Sequence, residues 1–122
     1  GEKINKKGFT GTTTGTLAVD SQVQSVVFLN TNQTANRTIN FSNVDANMAV
    51  GESMSFAVLS TQGSSAYYFN AYQVDGSSVT PKWQGGSAPS GGNASGIDVY
   101  TFTIIKTASA TFTVLASVAQ FA

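Results

Sequence analysis

From residue 17 onward, short apolar stretches alternate with clusters of Gly, Asn, Asp and Ser, and inside several stretches every second residue is apolar. The period of two runs through Ile39 and Phe41, through Met54, Phe56 and Val58, through Tyr100, Phe102 and Ile104, and through Phe112, Val114 and Ala116. Successive side chains of a strand point to opposite faces, so each set marks the covered face of one strand. The pattern predicts strands over 17–19, 23–29, 38–42, 53–59, 67–74, 79–83, 97–106 and 110–118. Between them, segments 30–36, 43–47, 62–65, 75–78 and 85–96 are rich in residues that tolerate turn dihedrals. No stretch keeps helical spacing. Seven or eight short strands punctuated in this way predict an all-β fold, a two-sheet sandwich of jelly-roll-like topology, with the strand order left open.

The sandwich is expected over residues 17–122. Residues 1–16, ending in Gly8-Phe9-Thr10-Gly11-Thr12-Thr13-Thr14-Gly15-Thr16, carry little to bury. They read as an extended N-terminal arm or linker, ordered only by lying on a neighbouring chain. The chain opens on Gly1, which fits either loss of an initiator Met or a segment of a longer protein.

Composition narrows the partners. Charged residues make up 10% of the chain, and six Lys+Arg balance six Asp+Glu, so nothing draws a phosphate backbone and no nucleic acid is expected. Lys3, Lys6 and Lys7 read as a solvated terminus. The absence of cysteine excludes a disulfide framework, a thiolate metal site and a thiol nucleophile. No apolar run approaches the roughly 20 residues of a membrane helix, and the chain does not open as a secretory signal does, so no membrane insertion is expected.

Without His or Cys, the carboxylates beyond the arm are Asp20, Asp45, Glu52, Asp75 and Asp98, scattered at long intervals. Two carboxyl groups a few ångströms apart are enough for a glycosidase. Yet Asp20, Asp45 and Asp75 sit in turn contexts that favour Asp for its own backbone hydrogen bonds, so no enzyme, catalytic residue, cofactor or metal is expected. Gly85-Gly86-Ser87-Ala88-Pro89-Ser90-Gly91-Gly92 lacks the ending of a phosphate-binding loop and reads as a flexible loop. Asn-x-Ser/Thr triplets at Asn32, Asn36, Asn40 and Asn93 read as a by-product of an Asn-, Ser- and Thr-rich chain.

The aromatic residues carry more information. Tyr67, Tyr68, Phe69 and Tyr72 bunch in one expected strand, where they place rings on both faces, and a neighbouring subunit is expected to cover one of them. Edge strands with few charges to discourage pairing add to the same expectation. A symmetric homo-oligomer follows, with Tyr67, Tyr68, Tyr72 and Phe121 as interface candidates. Trp83, beside the Gly-rich loop, is either a platform for a host glycan or an anchor that packs the loop, and the anchor is favoured.

From Val79-Thr80-Pro81-Lys82-Trp83-Gln84-Gly85-Gly86-Ser87-Ala88-Pro89 to Asp98-Val99-Tyr100-Thr101-Phe102, the chain resembles the C-terminal module of tailed-phage, marine and cyanophage-type, tail-fibre-like virion proteins. Pro81 stands where that pattern more often has a β-branched residue, and the final hairpin lacks the Trp often found near its end. The resemblance implies a bacteriophage virion structural protein on the particle surface, at the end of a fibre or decorating a capsid. It also implies a multimer, with a trimer favoured, contacts to other virion proteins, and no cofactor or catalytic group. A carbohydrate-binding module is the alternative.

Overall fold

The computed structural model describes residues 8–122. Two mixed sheets pack face to face as a sandwich. The larger sheet orders its strands β1 (Phe9–Thr10), β3 (Val26–Leu29), β5 (Ser53–Thr61), β9 (Ile97–Ala108), β10 (Thr111–Phe121) and β8 (Lys82–Trp83). The smaller sheet orders β2 (Leu17–Asp20), β4 (Arg37–Ser42), β6 (Phe69–Val74) and β7 (Ser77–Ser78).

The all-β sandwich is the expected one, but its winding departs from the antiparallel pattern of a jelly roll. From β1 to β6 the chain alternates between the sheets, and within each sheet the strands β1, β3, β5 and β2, β4, β6 lie parallel. The first half is therefore a flattened coil of three stacked turns. Its inward residues stack in register: Leu17 beside Ile39 beside Tyr72, and Val19 beside Phe41 beside Val74. After β6 the hairpins are antiparallel, and β8 alone joins in parallel, beside β10. Asp75 and Gly76, both at positive φ (50° and 81°), close the β6–β7 hairpin, as a two-residue primed turn requires. The long β9–β10 hairpin then lies against β5.

The core lies between the sheets and is rich in rings. Phe41 packs on Phe56 (centroids 4.8 Å) and Phe102 (5.1 Å), Phe69 on Tyr100 (5.0 Å), and Tyr72 on Trp83 (5.4 Å). The expected aromatic strand begins two residues late: Tyr67 and Tyr68 precede β6. Arg37 pairs with Phe69 and Thr38 with Ala71, so Asn70 is an extra residue on β6. That bulge shifts the alternation and turns Phe69, Tyr72 and Val74 all inward. The strand expected over 79–83 shrinks to Lys82–Trp83, since Pro81 has no N–H to give a ladder.

The arm also departs from expectation. Phe28 N–H donates to the Gly8 carbonyl (2.6 Å), Thr34 N–H to that of Thr13 (3.1 Å), and the Phe9 ring stands edge-on to Phe28 at 5.6 Å. Residues 8–16 thus lie on this chain's own sandwich, and the larger sheet reaches back to Phe9, past the boundary expected at residue 17. Residues 1–7, with Lys3, Lys6 and Lys7, lie outside the described residues.

The edges are blunted. β1, β7 and β8 have two residues each. At the end of β2, Asp20 N–H donates to Gln24 Oε1 (3.3 Å), and the Asp20 carbonyl accepts from Val23 and Gln24 N–H. Short end strands and a turn closed back on β2 limit strand addition at those edges.

Burial pushes the Tyr100 and Tyr72 hydroxyls well above the ordinary tyrosine range, and the negative charge of nearby Asp98 adds to this at Tyr100. Both groups hold their protons more tightly folded than unfolded. The stability they contribute is therefore present below pH about 10 and lost as pH rises past it. Urea midpoints measured across that range should fall steeply for the native chain and less for Tyr100→Phe. A flat profile up to pH about 11 would overturn the assignment.

Candidate assembly surface

Burial alternates along β5, β9 and β10, which leaves one set of side chains on the outer face of the larger sheet. The strand registers arrange that set in rows. One row crosses five strands without a polar residue: Phe9, Phe28, Leu59, Val99, Ala119. On one side of it lie Val26 and Ala57, paired across β3 and β5, and on the other Ile97 and Phe121, paired across β9 and β10. Phe9 is 67% exposed, Phe121 58% and Val26 51%. Beyond Ala57 the face turns to hydroxyls, with Thr101 paired with Ser117 and Ser55 with Thr103. Apart from Lys82 on the β8 edge, none of these outward residues is charged.

Apart from Lys82, the charged groups among the described residues lie elsewhere and are committed to structure. Arg37 and Asp98 point into the sandwich, and Asp98, 1% exposed, accepts from Gln62 Nε2 (3.1 Å) and Asn93 N–H (3.0 Å). Gln62 also brackets Tyr67, accepting from its N–H (3.0 Å) and donating to its carbonyl, which ties the loop before β6 to the start of β9. Lys106 pairs with Asp45 at 3.0 Å and donates to the carbonyls of Asp45 and Met48. The hydrogen bond from Lys106, with a second from Ala110 N–H, holds the Asp45 carboxyl below the usual carboxylate range. Asp75 caps the backbone N–H groups of Val44 (3.0 Å) and Asp45 (2.8 Å). Both carboxylates border a cleft of about 580 Å³ where the sheets part between β7 and β10. In this cleft they act as a turn cap and an ion-pair partner.

Comparison with protein-family models, with curated proteins and with solved structures finds no match for this chain. Its role therefore rests on its own surfaces.

The structure separates the expected interface residues. Phe121 stands on the outer face of the larger sheet. Tyr67 and Tyr68 are half-buried in the loop before β6, next to Arg37 and Ser60. Tyr72 packs inward, and its hydroxyl donates to the Phe69 carbonyl. Trp83 pairs with buried Ala116 and lays its ring against Tyr72, Tyr100 and Phe102, a packing position. Phe9, Val26, Phe28, Leu59, Val99 and Ala119 were not anticipated. The signal for them is the unbroken run Val26-Val27-Phe28-Leu29, since a strand apolar at consecutive positions has both faces to cover.

Proposed function

We propose that this chain is a structural module of a bacteriophage particle, a tail-fibre or particle-surface domain that works by assembly and presentation. The uncharged apolar row from Phe9 to Ala119 on the outer face of the larger sheet, with its neighbours Val26, Ala57, Ile97 and Phe121, carries this reading, because lone soluble domains rarely expose a contiguous patch of this kind and assembly surfaces commonly do. The resemblance of its C-terminal segment to fibre-like virion proteins supplies the particle. Purified virions of a phage that encodes the chain, analysed by quantitative mass spectrometry and immunogold electron microscopy, test the proposal. The expected result is a fixed copy number, in a small multiple per particle, with label on the outside. Presence in infected-cell lysate but absence from purified particles would sink it.

A further inference from the structure

We infer that a second copy of this chain covers the outer face of the larger sheet, sheet against sheet, around a two-fold axis that runs along β5 near Leu59. The inference rests on the assembly reading above and names the partner of that surface.

Two observations select a second copy. The first is shape. Along the apolar row the side chains shrink from β1 to β10: Phe9, Phe28, Leu59, Val99, Ala119. A face that tapers in this way is a wedge. A two-fold axis along the strands reverses the row in the partner, so Phe9 faces Ala119, Phe28 faces Val99, and Leu59 meets its own copy. Thick then meets thin across the whole row, and the sheets keep the even spacing of about 10 Å at which sheets pack. Phe121, one row away on β10, falls over the partner's β1 edge beside Phe9, where that two-residue strand offers no side chain of its own in that row.

The second observation is charge. The outward residues from β1 to β10 are uncharged, so the face meets itself without like-charge repulsion and offers a strongly charged partner nothing to pair with. An axis of order three, which the fibre resemblance implies, does not set a face against its own reversed copy and leaves the taper unused.

The absence of cysteine makes the test direct. Leu59→Cys should form an interchain disulfide rapidly under mild oxidation, while Val50→Cys, equally apolar and 64% exposed outside this face, should not. In sedimentation the native chain should run at twice 12.6 kDa. Phe9→Ser with Phe121→Ser, both at exposed positions, should weaken self-association by about 100-fold or more while circular dichroism stays native. Val23→Ser with Val50→Ser should leave association within a factor of about two. A monomer at high micromolar concentration, a trimer, or equal cross-linking at Leu59 and Val50 would each overturn the inference. Because these measurements use the isolated chain, a monomer that is nevertheless found in purified virions would refute the pairing and leave the particle assignment standing.

Discussion

Phe102→Ala is expected to lower the unfolding free energy by about 3–5 kcal/mol, whereas Phe121→Ala in the monomer should change it by less than about 0.5 kcal/mol. Both are phenylalanines on neighbouring strands of one sheet, and only their side of the sheet differs. Phe102 is fully buried at the middle of β9, with ring neighbours Phe41 (5.1 Å), Tyr72 (6.1 Å), Tyr100 (6.2 Å) and Trp83 (6.4 Å). These neighbours come from three other strands and from β9 itself, so no single one can move into the space without abandoning the rest, and most of the cavity persists. For a chain of this size the change is a large part of a total stability of about 5–15 kcal/mol, and a fall in Tm of roughly 10–20 °C should accompany it. Equal effects at the two positions, measured by thermal and urea unfolding, would mean that the aromatic cluster does not hold the sheets together.

Arg37→Met should release the N-terminal segment while leaving the rest of the sandwich folded. Arg37 is buried, and burial draws its pKa below the ordinary guanidinium value. Its Nε donates to the Gly15 carbonyl (2.9 Å), Nη1 to the Thr12 carbonyl (3.2 Å) and Gln33 Oε1 (2.9 Å), and Nη2 to Thr12 Oγ1 (3.2 Å). The planar fork thus holds residues 12–15 against β4, where a methionine fills the space and donates nothing. Gln33 Nε2 still reaches the Thr12 carbonyl, but Gly15 O and Gln33 Oε1 lose their donor, at a combined cost of about 2–4 kcal/mol. Hydrogen exchange should read this as local opening: amides from Phe9 to Thr16 lose protection by about 100-fold or more, and those of Tyr100 to Ile104 hardly change. Retained protection over 8–16 would show that the β1–β3 pairing alone holds the segment.

Much of this architecture was legible in the alternation of apolar residues. Met54, Phe56 and Val58, and Tyr100, Phe102 and Ile104, announced β5 and β9 because a half-covered strand must keep one phase. The same alternation tells a strand which side to bury, not which strand to pair with or in which direction. The parallel coil from β1 to β6 was therefore invisible, and the more familiar antiparallel plan stood in its place. Regular alternation through Asn70 would turn Tyr72 to a surface, and the bulge that turns it inward is a property of two strands together. Phe9 was passed over because two residues among threonines and glycines leave no period to read. The outer face was missed for a related reason: Leu59, Val99 and Ala119 occupy the out-of-phase positions, and only the registers of three strands reveal them as one row.

The parallel coil also sets the order in which the molecule can fold. Each parallel pair in it joins strands separated by a full turn of chain, so none can form as a local hairpin, whereas β9 and β10 are adjacent in sequence and meet across a short turn. Strands β1 and β3 have no stable sheet to join until β5 is flanked by β9, and β2 and β4 have none until β6 is in place. Nucleation is expected at the last-made hairpin, with φ-values high at Ile104 and Val114 and near zero at Val19. The coil then winds backward toward Phe9, so the half of the chain that leaves the ribosome first is the half that settles last.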